Sequence, residues 1–442
     1  MKSILIKNGL VVTMDPQRRV LSGDVYIEDG IIKEFPSSRK KADSVIDATN
    51  QLVLPGFIQT HIHLNQTLFR GLSEDLRVED WLRLRIWPLE QAHDVDSVYD
   101  AARLGIAEMI RSGTTCVLSN ETIYHTESVF EAMIEMGYRG FTGKIMMDRW
   151  EPGTEMLGET TEQSIKESQR LLNKFHGAGN GRIGYSFCPR GTRNITASLW
   201  GEVLKISQEN GIPIHSHAAD GPTQTARLKK RGLSEIRFLE SVGATIPNIV
   251  LAHCICIDED ERQILARNDM KVTHCPSANL KASLGIAKIP EMLNEGINVS
   301  LGADGAPANN NLDIFMEMRL AGLIHKPRCG PEAIPARKIV EMATLNGAQA
   351  LGLEGEVGSI ESGKYADMIT IDRTGIHNQP YVASDVYTQL VYQHKANDVQ
   401  TVIIDGDILL KNGRFTQLDV TEINRHATAS VKRVMQRAEL VP

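Results

Sequence analysis

The sequence has no apolar run of the roughly 20 residues that a membrane-spanning helix needs. It also lacks the long apolar stretch of a secretory signal peptide near its start. Its six cysteines do not form a small-domain disulfide framework, and the CxxC-type spacing of a cysteine-rich zinc site is missing. We therefore expect free thiols, a cytoplasmic location and no membrane partner.

A stripe of positive charge is absent as well. The 442 residues carry a net charge of −7 at pH 7, and the charged residues are interspersed along the chain. Nucleic-acid-binding proteins usually show a basic patch or stripe, so we expect no nucleic-acid partner. Hydrophobic residues make up 42% of the chain, which is enough for a large core and more than one ordinary domain.

Three enzyme signatures are missing or incomplete. The chain contains no His-Glu-x-x-His pair of a zinc protease and no His-x-Glu with Pro-Cys-x-x-Cys of the cytidine-deaminase fold. Residues 358–364 have the spacing of a phosphate-binding loop, but Tyr365 replaces the Ser or Thr that such a loop needs. These three kinds of site are therefore excluded.

The most informative motif that is present is the pair His61 and His63, which follows the mostly apolar stretch 52–58. Residues i and i+2 of a strand point to the same side, so the two imidazoles are aimed at one place. A divalent metal can be bound there, but a catalytic metal usually takes three or four protein ligands. Further ligands must come from other parts of the chain.

Polar residues also follow three other predicted buried strands. They are His215 and His217 after residues 211–214, His253 after residues 248–252, and Asp304 after residues 297–303. In barrels of alternating strands and helices, the carboxyl ends of the strands carry the active site. Each residue alone, like His274, is compatible with an ordinary structural role. Their joint order along the chain predicts a metal centre.

The organisation of the chain predicts an α/β fold. Short strands with turn signals at Asn8-Gly9, Asp29-Gly30, Asp405-Gly406 and Asn412-Gly413 dominate both ends of the chain. Between them, apolar strands alternate with helical periods. We predict a (β/α)₈ TIM-type barrel over residues 55–365. Residues 1–54 and 366–442 are predicted to form one small β-sandwich domain with a C-terminal helix.

The motifs resemble those of the amidohydrolase superfamily, and most closely its group of methylthioadenosine/S-adenosylhomocysteine deaminases and triazine chlorohydrolases. The resemblance covers essentially the whole chain. The matching runs are residues 55–63, 70–72, 87–90, 112–115, 251–254, 274–281, 301–305, 309–313, 317–319 and 358–367. The resemblance implies one divalent metal ion, most often Zn²⁺ and sometimes Fe²⁺.

The same resemblance implies roles for individual residues. The metal ligands would be His61, His63, His217 and Asp304. Asp304 would also take the proton of the attacking water, and His253 would orient that water. Hydroxide formed at the metal would then add to a ring carbon, and Asp220 would protonate the neighbouring ring nitrogen so that ammonia leaves.

Asp220 departs from the family pattern, which has Glu three residues after the third histidine ligand. Here the run is His217-Ala-Ala-Asp220. Aspartate is shorter than glutamate by one carbon–carbon bond, about 1.5 Å. To reach a ring nitrogen, its carboxylate needs a shifted backbone, a relaying water or a different substrate.

Four residues are candidates for substrate binding. Glu90 resembles the position that grips ribose hydroxyls in adenosine-type members, and a charged acceptor suits two hydroxyl donors. Trp81 could cover a flat ring by stacking. Gln66 and Arg190 resemble positions that read the ring edge in guanine-deaminase-like relatives, whereas methylthioadenosine-type members usually have His where Arg190 stands. Glu90 and Trp81 are equally compatible with ordinary helix positions.

Together these features predict a metal-dependent deaminase of an amino-substituted N-heterocycle. The favoured substrate is an adenosine-like purine such as methylthioadenosine, S-adenosylhomocysteine or a related nucleoside. Guanine, another oxo-aminopurine, a pterin or an s-triazine are the alternatives. A catalytically impaired binding protein is disfavoured because all four ligand positions are filled. Relatives are often dimers or tetramers, so we expect a homo-oligomer.

Overall fold

The computed structural model describes residues 2–150, 157–230 and 232–440. The chain starts with strands that pair with one another before the barrel begins. They are β1 Ser3–Val12, β2 Val20–Glu28, β3 Ile31–Glu34, β4 Ser44–Asp47 and β5 Gln51–Pro55. As predicted, Asp29-Gly30 forms the turn between β2 and β3, which pair antiparallel.

The predicted turn at Asn8-Gly9 is wrong. The strand β1 runs through this pair, and its register against β2 shifts between Ile6 and Gly9. Asn8 has a φ of +64°, so the pair forms a bulge within a longer strand. Gly9 is required here because a Cβ atom would lie 2.4 Å from Cγ2 of Val53.

The middle of the chain forms a second, parallel sheet. Its strands are β6 Phe57–His63, β7 Thr114–Glu121, β8 Arg139–Met146, β9 Ile183–Tyr185, β10 Cys188–Pro189, β11 Ile214–Ala218, β12 Ile249–His253, β13 Lys271–His274, β14 Val299–Leu301 and β15 Asp304–Gly305. The order is β10-β8-β7-β6-β14-β13-β12-β11, with β9 on β8 and β15 on β6. A parallel bridge between Phe187 and Ile214 joins the two ends of this order. The fold is α/β of the TIM-barrel type, as the sequence predicts.

The strands β6 and β7 are buried along their whole length, because helices cover the outside of a parallel sheet. The helices of the described residues are α1 Val78–Trp81, α2 Trp87–Gln91, α3 Val95–Arg111, α4 Glu127–Glu135, α5 Thr161–Phe175, α6 Ala197–Asn210, α7 Pro222–Lys229, α8 Glu235–Ser241, α9 Glu259–Arg267, α10 Pro276–Lys281, α11 Ile289–Asn294, α12 Ala306–Asn309, α13 Ile314–Ile324, α14 Lys326–Cys329, α15 Ala336–Met342, α16 Leu345–Ala350, α17 Val386–Tyr392 and α18 Val420–Arg437. A π-helical turn, Leu82–Ile86, joins α1 to α2, and a 3₁₀ helix, Leu64–Phe69, follows β6.

Strands from the two ends of the chain pair with each other. The last strands are β16 Met368–Asp372, β17 Val399–Ile404, β18 Asp407–Lys411 and β19 Arg414–Phe415. Strand β16 runs antiparallel to β5 and joins them all into one sheet, ordered β19-β18-β17-β16-β5-β1-β2-β3 with β4 beside β1. The exact domain boundaries stay a prediction, and the chain ends at residues 1 and 441–442 lie outside the described residues.

The last helix, α18, packs against the barrel helix α3. The hydroxyl of Ser430 donates to the carboxylate of Asp100 at 2.5 Å. Arg437 donates from Nε to the carbonyl of Ala92 at 2.7 Å and pairs with Asp94 at 2.6 Å. None of the helices in the described part of the chain has both the length and the apolar character needed to cross a bilayer.

Candidate active site

The polar residues predicted at the strand ends meet at one place in the structure. Asp304 Oδ1 lies 3.4 Å from Nε2 of His61 and 3.3 Å from Nε2 of His63. The Nε2 atoms of His63 and His217 are 3.4 Å apart. Three strands, β6, β11 and β15, supply these side chains, which therefore turn their ligand atoms toward one another.

Hydrogen bonds on the far side of each ring determine which nitrogen carries the proton. His63 Nδ1 donates to the carbonyl of Asn120 and His217 Nδ1 donates to the carbonyl of Arg190, each at 2.7 Å. His215 Nδ1 donates to the carbonyl of Val250, so its Nε2 accepts from Nδ1 of His61 at 2.7 Å. The Nε2 atoms of His61, His63 and His217 are thus each left with a free lone pair.

This donor set fits a divalent metal. Nε2 of His61 is buried and has no hydrogen-bond partner among the described residues. The ligand atoms of His61, His63 and His217 lie within 4.8 Å of one another, and so do those of His61, His253 and Asp304. Lone pairs and a carboxylate that face each other in a buried space repel unless a cation lies between them.

The titratable groups of the centre have shifted pKa values. Burial lowers the pKa of His61 to about 4, and burial also lowers the pKa of His217 well below its usual range. Burial alone would raise the pKa of Asp304, but the adjacent imidazoles of His61 and His63 outweigh it and hold that pKa well below its usual value. The carboxylate of Asp304 in turn outweighs burial and raises the pKa of His63, so His61 and His217 are the neutral imidazoles of the centre.

His253 stands beside Asp304, with Nε2 3.9 Å from Oδ2 of that carboxylate. Its Nδ1 donates to Oδ1 of Asn279 at 2.9 Å, which leaves the Nε2 lone pair facing the centre. Asn279 lies in α10, after strand β13, and is fully buried. The ring of His253 is thus held in one orientation.

The backbone is strained around the centre. Ala219, His253, Cys254 and Asp304 have φ values of +49°, +72°, +46° and +65°. The left-handed conformation costs a non-glycine residue roughly 1–2 kcal/mol. Such strain persists where the surrounding structure holds it, and it is typical of active sites.

A cleft opens beside the centre. Asp220, Gln66, Trp81 and Arg190 line it, together with His63, His217, His253 and Asp304. Trp81 donates from its indole N–H to Ser73 Oγ at 2.8 Å, which fixes the ring in the wall. Eight of the ten predicted site residues thus line one space, and the other two, His61 and Glu90, are not among its lining residues.

Glu90 is placed differently from Gln66 and Arg190. It is 4% exposed and is not among the residues that line the cleft. Its Oε1 accepts from Gln66 Nε2 at 2.8 Å, and its Oε2 lies 3.4 Å from NH1 of Arg190. Glu90 therefore lies behind the wall that those two side chains form.

Four further residues of the site had no role assigned to them from the sequence. His215 supports His61, Asn120 supports His63, Asn279 supports His253, and Glu235 accepts from the backbone N–H of Ala219. Burial and the nearby carboxylate of Asp220 raise the pKa of Glu235 to about 7. The only sequence signal was for His215, which stands two residues before a predicted ligand.

Comparison with known proteins places these features in context. The model of the amidohydrolase family matches residues 52–409. A 5'-deoxyadenosine deaminase from Methanosarcina acetivorans is 36% identical over 442 residues, which cover 99% of this chain and 100% of that protein. A 5-methylthioadenosine/S-adenosylhomocysteine deaminase from Thermococcus onnurineus is 37% identical over 411 residues, covering 92% and 94% of the two chains.

Solved structures share the fold over nearly the whole chain. An adenosine deaminase from Xanthomonas campestris with bound zinc superposes with a TM-score of 0.92 at 26% identity, covering 98% of this chain and 99% of that one. An atrazine chlorohydrolase from Arthrobacter aurescens complexed with zinc has a TM-score of 0.90 at 23% identity, with coverage of 97% and 100%.

Proposed function

This chain belongs to the amidohydrolase family and is a hydrolase of C–N bonds, and we propose that it deaminates an adenosine-like purine nucleoside. Methylthioadenosine, S-adenosylhomocysteine and 5'-deoxyadenosine are the substrates to test first, because relatives named for them match this chain over nearly its whole length. The observation that supports this proposal most is the convergence of three Nε2 lone pairs and one carboxylate beside a cleft lined by Asp220.

The residues that would hold the metal are His61, His63, His217 and Asp304. Zinc is the favoured ion because imidazole and carboxylate ligands suit it, and Fe²⁺ is the alternative. A bound divalent cation would supply a water of lowered pKa as the nucleophile.

Asp304 would accept a proton from the attacking water, and His253 would orient that water. The carboxylate of Asp304 is unprotonated at neutral pH, because its pKa is held low, so it can accept a proton from that water. His253 presents its Nε2 lone pair to the same space, and the bond to Asn279 Oδ1 keeps the ring in place. These two residues would fix the direction from which the water approaches.

Asp220 would supply the proton to the ring nitrogen. Asp220 lines the cleft, as His217 and Glu235 also do. Protonation of the ring nitrogen makes the ring carbon more electrophilic, and ammonia then leaves from the tetrahedral carbon. The reaction converts the amino group to a carbonyl and consumes one water.

Recognition of the substrate would rest on the cleft walls. Trp81 packs with Ala278 and Ala308 and offers an aromatic surface for stacking on the base. Gln66 and Arg190 would meet the ring edge. Glu90 lies behind these two side chains, so it would accept from the ribose hydroxyls once Gln66 and Arg190 turn aside.

Arg190 supports a second candidate substrate class. Its guanidinium has only donors, so it suits a ring with a carbonyl or an unprotonated nitrogen toward that wall. Guanine and a pterin present such acceptors. An s-triazine is the remaining alternative, for which the same apparatus would release ammonia or chloride.

The test is release of ammonia by the metal-reconstituted protein. The panel contains adenosine, methylthioadenosine, S-adenosylhomocysteine, 5'-deoxyadenosine, guanine, a pterin and melamine, with an aminochlorotriazine followed for chloride. We expect the highest kcat/KM on an adenosine-type nucleoside. Activity on guanine, pterin or triazine alone would contradict that assignment, and silence across the panel with metal bound would overturn the deaminase proposal.

Two further expectations accompany the proposal. We expect a homo-oligomer, dimer or tetramer, which size-exclusion chromatography with light scattering measures directly. We also expect the protein in the cytoplasm, with a small-molecule heterocycle as its partner and neither nucleic acid nor membrane.

A further inference from the structure

Glu235 links two segments of the cleft wall. Its Oε1 accepts from the hydroxyl of Thr192 at 2.6 Å, and its Oε2 accepts from the backbone N–H of Ala219. The residue is 6% exposed and opens helix α8, while Ala219 follows strand β11 directly. A buried carboxylate therefore binds the turn that joins His217 to Asp220.

Ala219 needs such a partner. Its φ of +49° lies in the left-handed region, which is unfavourable for alanine. Its carbonyl accepts from the N–H groups of Ile255 and Cys256, at 3.0 and 3.1 Å. The bond to Glu235 holds the N–H side of the same residue. Both polar groups of Ala219 are thus fixed, and the strained turn is held from two sides.

The backbone conformation of this turn determines the direction in which the next side chain, Asp220, points. Asp220 follows Ala219, and a change at the φ of Ala219 would swing the Asp220 Cα–Cβ bond. Asp220 has one carbon–carbon bond fewer than glutamate, so it has fewer torsions with which to correct a misplaced backbone. The raised pKa of Glu235, caused by burial and then by Asp220, indicates that the two carboxyls are electrostatic neighbours.

We propose that Glu235 is a positioning residue, which holds Ala219 in its left-handed turn so that the short side chain of Asp220 reaches the substrate ring. This inference rests on the proposed function, because it assigns the proton transfer to Asp220. A purely structural role for Glu235 is the competing explanation. The two differ in whether the effect of Glu235 passes through Asp220.

The first test is a double-mutant cycle on kcat. The variant Glu235→Ala should lose about 10- to 100-fold in kcat with KM nearly unchanged, as expected for misplacement of a reacting group. In an Asp220→Asn background, the same substitution should cause no further loss. An equal loss in both backgrounds would overturn the proposal, and so would full kcat in a folded Glu235→Ala enzyme.

Glu261 offers a matched control. It is also a buried glutamate at the start of a helix, and its carboxylate accepts from the backbone N–H of Asp258 at 2.9 Å. Glu261→Ala should lower the thermal midpoint without lowering kcat. If Glu235→Ala fails to fold, Glu235→Met keeps the approximate size of the side chain and removes both acceptor oxygens. In that variant kcat should fall while secondary structure and metal content are retained, and an unchanged kcat would overturn the proposal.

The second test does not depend on activity. A crystal structure of a folded Glu235 variant should show Ala219 released from its positive φ and the Asp220 carboxyl displaced. An unchanged turn and an unchanged Asp220 would overturn the positioning role. If the wild-type protein released no ammonia from any substrate, the proposed function would fail, and the crystal structure would still decide whether Glu235 holds the turn.

Discussion

The guanidinium group of Arg190 lies 3.4 Å from Oε2 of Glu90, and the other carboxylate oxygen of Glu90, Oε1, accepts from Gln66. Two residues assigned separately to substrate binding are therefore one unit. Glu90 supplies the charge that neutralises Arg190, and both partners of Glu90 line the cleft. A nucleoside would have to share the Glu90 carboxylate with these two donors.

Replacement of Glu90 should reveal whether it binds ribose. We expect Glu90→Ala to raise KM for an adenosine-type nucleoside by about 10- to 100-fold, the range of one hydrogen bond to a charged group. The effect on the free base should be much smaller. Steady-state kinetics on the nucleoside and on the corresponding base measures both values.

Gln91, the exposed next residue of α2, provides the control for this experiment. Gln91→Ala should leave both KM values unchanged. An equal loss on nucleoside and base in Glu90→Ala would show that Glu90 acts only by orienting Arg190 and Gln66. The ribose contact would then be discarded.

Substitution of Asp304 tests whether the centre binds a metal that is needed for catalysis. Asp304→Asn keeps the shape of the side chain but removes the charge that balances a cation, and it removes the proton acceptor. We expect bound metal to fall and kcat to drop by about 10²- to 10⁴-fold, the range for loss of a general base. Metal analysis and kinetics on the same preparation give both results.

His63→Ala should behave like Asp304→Asn, because it removes another proposed ligand from the same point. Asp313→Asn, which changes a carboxylate outside the cleft, should retain metal and activity. Removal of metal with a chelator should abolish turnover, and added Zn²⁺ or Fe²⁺ should restore it. Full activity of a metal-free protein would contradict the metal mechanism.

The sequence predicted the centre because its polar residues come at or after the carboxyl ends of apolar strands, with His61 and His63 together on β6. His63, His217, His253 and Asp304 are all found beside one cleft, since the carboxyl ends of parallel strands meet at one edge. Strand alternation and strand-end polarity are local features, so a single sequence displays them. The barrel type followed from the same signals.

Contacts between distant side chains could not be predicted in this way. His61 and His215 are 154 positions apart, and His253 and Asn279 are 26 apart. Nothing local to either residue encodes such a pair. The turn expected at Asn8-Gly9 failed for a related reason, because pairing with other strands on both sides of β1 keeps the chain extended there.

We expect Asn279 to affect catalysis only through its hydrogen bond to His253. Asn279→Ala removes the acceptor at 2.9 Å from His253 Nδ1, so the ring is free to rotate or change tautomer. We expect kcat to fall about 10- to 100-fold, the usual effect of losing a residue that supports a metal-site side chain. Asn279→Asp, which keeps an acceptor oxygen, should retain more activity. Equal activity of Asn279→Ala and wild type would contradict the role of this bond.

Glu317 should make stability depend on pH. Its carboxyl is fully buried in α13, where Oε1 accepts from Asn309 Nδ2 at 2.8 Å and Oε2 from the N–H of Ser277 at 3.2 Å. Burial raises its pKa from the usual 4.5 to about 7. Between these values the folded protein keeps a proton that the unfolded chain has lost. The free energy of unfolding should therefore fall as pH rises from about 4.5 to about 7, by roughly 3 kcal/mol from this group.

The measurement compares wild type with Glu317→Gln by chemical denaturation between pH 5 and pH 8. The amide cannot ionise, so the difference in the free energy of unfolding between the two proteins should change steadily up to about pH 7 and then level off. Relative to wild type, the variant should be least stable at pH 5, where both proteins carry an uncharged group. Glu131→Gln, at an exposed position of α4, should follow wild type at every pH. Parallel curves for wild type and Glu317→Gln would show that Glu317 ionises normally, and that its bonds to Asn309 and Ser277 offset the effect of burial.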